Sequence, residues 1–301
     1  MSDKVAIVIV TYNRQQLLKE CLDCALGQTY SPFRVIVVNN ASTDGTKEWL
    51  QQMAAQSGET LQVIHETENI GGAGGFYDGM KESLAIGTDW TLVIDDDAML
   101  DSRYIERIME ASVRYPSISA FSGSVLTNSK IVENHRRRII DHREAEVGIA
   151  EYDQDFYYDI STFCGLMVKK SLIEVTGLPI REFFYQYDDT EYCMRFHPYT
   201  AIVNVKGAFL NHKTVLQMPG AAGSRELSLK SYYSFRNSLY TYLKYGYYKE
   251  AYRCTAWLIK QTVRDMLDRN LKNDIRKMNR WIRFRSIKDA YKGKLGKWET
   301  G

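Results

Sequence analysis

The chain has 301 residues, 45% hydrophobic and 25% charged, a globular composition sufficient for one large domain or a domain with an appendage. No signal peptide is visible, since Met1-Ser2-Asp3-Lys4 runs straight into a strand, and no apolar run reaches the ~18 residues of a membrane-spanning helix. The net charge of +2 hides an asymmetry: residues 244–301 carry 16 Lys/Arg and 6 Asp/Glu, net +10, which leaves the rest at −8. An acidic body with a basic tail suits a polyanionic partner, nucleic acid or an anionic membrane.

In chain order, Val5 to Val10 is a nearly unbroken β-branched run, the pattern of a strand buried on both faces. It ends in Thr11-Tyr12-Asn13-Arg14. A helix is expected from about 15 to 28, with Leu17, Leu18, Cys21, Leu22 and Ala25 at helical spacing. Strands are predicted at 33–38 and 61–65, helices at about 46–55 and 76–85. Between strand 61–65 and its helix lies Asn69-Ile70-Gly71-Gly72-Ala73-Gly74-Gly75-Phe76. Its glycines would free backbone amides to approach a phosphate just ahead of a helix N-terminus. Neither GxGxxG nor a P-loop is completed there. The alternation predicts a parallel, doubly wound sheet whose strand ends line one crevice.

The strand from Trp90 to Ile94 ends in Asp95-Asp96-Asp97. Adjacent carboxylates repel one another and call for a counter-charge, commonly Mg²⁺ or Mn²⁺ with oxygen ligands. The competing reading is a solvated acidic turn. A helix is predicted for about 104–115, residues 116–160 read as irregular, and the basic run Arg136-Arg137-Arg138 reads as a solvated face or a mobile loop. Residues 161–168 read as one strand. Aromatics then precede Asp188-Asp189-Thr190-Glu191, where the aspartates would cap a helix carrying Glu191 and Arg195 at i,i+4. A carboxylate walled by aromatics is also how a general base is desolvated. A strand at 201–210 leads to His212, as a ligand or as a structural residue.

From about 228 the composition changes to aromatic- and Lys/Arg-rich helices, at 232–248, 249–270 and 274–291. They suit an interfacial helix on anionic lipid, a packed helical pair with a solvated basic face, or a homo-oligomer interface. Five scattered cysteines fit a reducing compartment, and Cys21-x-x-Cys24 reads as a buried helix face.

Together these motifs, in this order over about residues 5–214, resemble the inverting, GT-A-fold glycosyltransferases of family 2. The resemblance implies an α/β catalytic domain at 1–226 and a helical region at 227–301. It implies a nucleoside-diphosphate sugar donor contacting Thr11, Tyr12, Asn13, Arg14, Asn40, Asn69, Gly71, Gly72, Gly74, Gly75, Asp95 and Asp96. Asn40 stands where the family commonly has an Asp that pairs with uracil. Mn²⁺ or Mg²⁺ would be held by Asp95, Asp97 and His212, and Asp189 would be the base. Tyr187, Asp188, Glu191, Arg236 and Asn237 would contact the acceptor. Within the family, the glycine segment, the triple Asp, the aromatic-Asp-Asp segment and Tyr232-Tyr233-x-x-Arg236-Asn237 are similar to bacterial galactofuranosyltransferases, the last also to rhamnosyltransferases. UDP-galactofuranose is the implied donor and dTDP-rhamnose its alternative. The implied acceptor is a lipid-linked cell-surface glycan, at the cytoplasmic face of the membrane. Two other classes, a nucleotidyltransferase and a nucleic-acid-binding protein, fit less well. The first lacks its Gly-rich basic loop, and the second leaves the acidic crevice unexplained.

Overall fold

The structure, a computed structural model, describes residues 2–213 and 226–298. Thr214, where the resemblance ends, lies outside them. The first half follows the predicted alternation: β1 (Val5–Thr11), α1 (Gln15–Leu26), β2 (Arg34–Asn39), α2 (Thr46–Ser57), β3 (Leu61–His65), α3 (Gly71–Ala85) and β4 (Trp90–Asp95). Next come β5 (Ala98–Leu100), α4 (Tyr104–Arg114), β6 (Ala120–Thr127), β7 (Lys130–Ile131), β8 (Arg136–Ile140), β9 (Arg143–Glu146), β10 (Phe156–Tyr158), β11 (Ile160–Ser161), β12 (Leu166–Lys169) and α5 (Lys170–Thr176). The remainder is α6 (Asp188–Phe196), β13 (Ile202–His212), α7 (Leu229–Lys244), α8 (Tyr248–Leu267) and α9 (Asn273–Tyr291).

The main sheet runs β10-β13-β6-β12-β4-β1-β2-β3, with β5 on β13 and β7 on β6. β1 pairs in parallel with β2 and β4, as do β2 with β3 and β6 with β13. β12 is antiparallel to both neighbours, within the mostly parallel twisted sheet that the resemblance implied. The chain leaves β6 and enters β12 at the same, crevice end of the sheet, so β12 must run back. Alternation along β1 serves two layers. Val5, Ile7 and Ile9 share a core with Leu18 and Leu22 of α1 and Ile105 and Ile108 of α4. Ala6, Val8 and Val10 share the other with Phe76 and Met80 of α3. Burying such side chains contributes roughly 1.5–3 kcal/mol each.

Residues 116–160, expected to be irregular, supply five strands, and β8, β9 and β11 form a separate antiparallel sheet. The single strand expected at 161–168 is two, β11 and β12, parted by a turn at Gly165, whose φ is +86°. The glycine cluster is no loop either: it is the first turn of α3, which begins at Gly71. A Cβ at Gly75 would stand 2.5 Å from Val10 Cγ1, and one at Gly79 2.3 Å from Val8 Cγ1. These glycines let the helix lie close on β1.

The C-terminal helices pack on one another and on the sheet domain. Asp265 of α8, 3% exposed, accepts from Arg283 (2.8 Å) and Asn279 (2.9 Å) of α9. Among the described residues no helix is long and apolar enough to cross a membrane.

Candidate active site

The crevice lies at the ends of β1, β2 and β4. β4 stops at Asp95, and Asp96 and Asp97 turn the chain into β5, which pairs with the end of β13 so that Ala98 faces His212. This ladder brings His212 to the acidic turn: its Nε2 lies 3.1 Å from Asp97 Oδ1. Thr11 Oγ1 donates to Asp96 Oδ2 (2.8 Å), and Arg14 Nη1 donates to Asp96 Oδ1 (3.2 Å) and Asp97 Oδ2 (2.8 Å). Asp95, Cys164 and His212 each offer a ligand atom within 4.8 Å of the others.

Among the described residues the site is short of positive charge. Burial, with Asp97 adding to it, pushes Asp95 up to about 7, and burial pushes Asp96 up to about 6 against Arg14 and Thr11. Burial would lower the His212 imidazole, but the hydrogen bond and charge of Asp97 outweigh it and raise it. Two carboxylates and an imidazole are a donor set that suits Mn²⁺ or Mg²⁺. Burial holds the Cys164 thiol well above its ordinary value and therefore protonated, so it adds little for such a hard cation. Asp95 and His212 thus fit the expected metal, while Asp97 lies against His212 and Arg14, the internal counter-charge.

On the expected donor side, Tyr12 is 45% exposed at the mouth of β1. The others are more engaged than expected. Asn13, at φ +53°, ties two turns together: its Oδ1 accepts from Thr43 N (2.7 Å), and its own N donates to Ser42 Oγ (3.0 Å). Asn40 is 2% exposed; its Oδ1 accepts from Ile70 N (2.8 Å) and its Nδ2 donates to Gly71 O (2.9 Å). It presents no edge to a pyrimidine, which corrects that expectation. Asn69 Oδ1 accepts from Gly71 N (2.8 Å), a local turn. A Cβ at Gly71 would fall 1.9 Å from the Phe184 carbonyl oxygen, and one at Gly74 2.9 Å from Ile70 Cγ1. With Gly75 on Val10, packing accounts for three of the four expected glycines, and only Gly72 has open space beside it.

The opposite wall is the start of α6. The helix begins at Asp188 after Tyr187 in the left-handed region (φ +70°), so Tyr187 occupies the cap position expected for the aspartates. Asp189 Oδ1 accepts from Thr190 N (2.5 Å) and Thr190 Oγ1 (3.1 Å), and Arg137 Nη2 donates to the same hydroxyl (3.0 Å). Burial raises Asp189, opposed chiefly by Arg137. Burial and the charge of Asp189 push Asp188 up to about 8, and Asp95 contributes, so the two walls feel each other.

Four of the five expected acceptor contacts are turned inward. The Tyr187 hydroxyl donates to Glu144 and lies 2.9 Å from the Tyr242 hydroxyl. Glu191, fully buried, pairs with Arg195 and with Lys244 (2.7 Å) and accepts from Tyr245 (2.8 Å). Burial would raise Glu191, and these partners, Arg195 first, hold it below its ordinary value. Arg236 and Asn237, 1% and 0% exposed, bond to backbone carbonyls. Asp188 remains at the crevice.

The basic run is not a solvated face. Arg136 is completely buried and donates to the carbonyls of Gly123 (2.5 Å), His135 (2.9 Å) and Cys164 (3.3 Å). Arg137 pairs with Glu144 beside Asp189, and Arg138 pairs with Glu151. Reading these residues as a strand would have separated Arg137 from its neighbours by alternation. His135, which burial lowers to about 3 and so keeps neutral, stacks edge-on against His212 at 5.6 Å between ring centres.

The family model described as "Glycosyl transferase family 2" matches residues 6–174. Galactofuranosyltransferase GlfT1 of Mycobacterium tuberculosis is 28% identical over 195 residues, 64% of each chain. The chain therefore spans under two thirds of that relative's length. The dTDP-rhamnosyl transferase RfbF of Shigella flexneri is 23% identical over 209 residues, 68% of this chain and 67% of that one. Among solved structures, residues 1–349 of S. aureus TarS, in complex with UDP, superpose with a TM-score of 0.55 at 12% identity, covering 99% of this chain and 94% of that one. The mannosyltransferase PcManGT of Pyrobaculum calidifontis, in complex with GDP-Man and Mn²⁺, gives 0.52 at 18% identity, covering 97% and 74%. At these identities the likeness is one of fold.

Proposed function

Because the chain belongs to glycosyl transferase family 2, we propose that it moves a sugar from a nucleoside-diphosphate donor to an acceptor hydroxyl by a single inverting displacement. The observation that carries this reading is the pair of acidic walls. Asp95, Asp97 and His212 form one, Asp188 and Asp189 the other, and they are near enough for Asp95 to act on Asp188.

A divalent cation bound by Asp95, Asp97 and His212 would neutralise the diphosphate leaving group. Asp189 accepts the acceptor hydroxyl's proton as its oxygen bonds to the anomeric carbon and the bond to the diphosphate breaks. Arg137 opposes the burial that raises Asp189. Tyr12, at the open mouth of β1, offers a ring face for the base. The rest is positioning of two substrates in one crevice.

For the donor we favour UDP-galactofuranose, which the GlfT1 relatives support; the rhamnosyl relative RfbF supports dTDP-rhamnose as the second reading. Calorimetry with UDP, dTDP, CDP and GDP, each with and without Mn²⁺, tests both. Metal-dependent preference for UDP is expected. Preference for dTDP moves the reading to rhamnose, and a folded sample that binds none of them overturns it.

The acceptor in this reading is a lipid-linked glycan, with the chain docked at the cytoplasmic face of an anionic membrane. The support is the exposed face of α9, where Met278, Trp281 and Phe284 are 44–50% exposed among Lys277, Arg280 and Arg285. Lys277→Glu with Arg280→Glu should weaken binding to phosphatidylserine vesicles by about 1 kcal/mol per removed charge, or more with reversal. Equal binding by the two proteins would remove the membrane from the proposal.

A further inference from the structure

Two buried side chains of α7 grip the loop that presents the acidic pair. Asn237 Nδ2 donates to the carbonyls of Phe183 (3.1 Å), Tyr185 (3.0 Å) and Gln186 (2.8 Å). Arg236 donates through Nη2 to Phe183 O (3.0 Å) and Glu182 O (3.3 Å) and through Nη1 to Gly296 O (2.7 Å). Its Nε donates to Asn237 Oδ1 (2.8 Å), which fixes which way the amide points. None of these acceptors is a carboxylate. The cation is instead flanked by the faces of Tyr232 and Tyr233, 5.2 and 5.1 Å from their ring centres.

The gripped loop is unusual in its backbone. Phe184, Gln186 and Tyr187 have φ of +65°, +62° and +70°, values side chains rarely adopt and that persist only where the surroundings over-determine them. Asp188 is the next residue. The same loop also touches α3: the Phe184 carbonyl accepts from Ala73 N (3.3 Å) in its first turn and lies against Gly71.

We infer that Arg236 and Asn237 are positioning residues. Neither faces the crevice. By holding carbonyls 182, 183, 185 and 186 they fix the conformation from which Asp189 meets an acceptor, and by fixing Phe184 between them they set the spacing between that wall and α3. The inference rests on Asp189 as proton acceptor. It also makes α7 an integral support of the site rather than a separate acceptor module.

The test uses the full chain with Mn²⁺. Transfer is measured from UDP-galactofuranose (dTDP-rhamnose if the calorimetry selects dTDP) to an alkyl galactoside, and the sites per chain that bind the matching nucleotide are titrated. In Asn237→Ala, kcat per binding site should fall about a hundredfold while nucleotide affinity is unchanged. On an Asp189→Asn background the same substitution should cost nothing further, because both act through one group. A purely structural role predicts fewer competent sites with normal kcat at each, and that result overturns the inference. So does a full additional loss on the Asp189→Asn background. Should Asn237→Ala not fold, Arg236→Lys carries the same test, since it keeps the charge but loses the planar fork. Full turnover by Asp189→Asn, by contrast, removes the proton acceptor itself.

Discussion

Three aspartates close β4 and three acidic residues open α6, yet the chain neutralises them unequally. At the end of β4, Arg14 and His212 face three carboxylates, and Asp95 and Asp96 are pushed up to about 7 and 6. In α6, Glu191 has Arg195, Lys244 and Tyr245 and is held below its ordinary value, while Asp188, three residues earlier, is pushed up to about 8. A carboxylate whose partners all come from the chain is part of the scaffold. A carboxylate left short of partners marks where a ligand or a proton is to go.

Three measurements bear on that contrast. The largest effect is expected from Asp189→Asn, which keeps the shape but removes the proton acceptor. Its kcat should fall by about 10²–10⁴ with nucleotide affinity retained, in steady-state kinetics beside calorimetry. Next is Glu191→Gln, which leaves Arg195 and Lys244 without their carboxylate. A loss of about 3 kcal/mol is expected in urea unfolding, at the low end for a broken buried pair because both cations are partly solvated. The pH dependence has a definite sign: Glu191 is depressed on folding, so its contribution is complete above its ordinary 4.5 and disappears as pH falls through the lower folded value. The Gln variant should therefore lose less stability than the parent over that acid range, and parallel curves would show that Glu191 is not a structural charge. The smallest effect is expected at β4, where Mn²⁺ at a hundredfold excess over Kd should stabilise the parent by about 2.7 kcal/mol. Asp97→Ala should show no such response in thermal unfolding; an equal response would place the cation elsewhere.

The fold was readable wherever apolar periodicity was strong, from β1 to β4 and through α7 to α9. It was lost at β6, whose buried positions include Ser122, Gly123 and Ser124. Gly123 is there because a Cβ would stand 2.3 Å from Ala208 O, a constraint set by a residue 85 positions on, in β13. β7 and β11 have two residues each, too short for any period. In the site, residues whose chemistry is intrinsic to their type, the triple Asp and Asp188-Asp189, could be found from sequence. Asn40, Arg236 and Asn237 could be named but not given their roles, since only tertiary structure shows an amide or guanidinium turned onto backbone carbonyls. Arg137 was hidden inside a basic run whose alternation becomes meaningful only once β8 is recognised.

The strand order also sets a sequence of events during synthesis. β1 to β4 complete their mutual pairing by residue 95. Apart from the two-residue β7, β6 finds its neighbours in β12 and β13, and His212 is the last residue of β13. A nascent chain can thus assemble the β1–β4 half early, while the distant pairings close slowly and late. The acidic turn receives its imidazole at the end of this process, so the proposed metal site should be complete only in chains that have closed these late pairings.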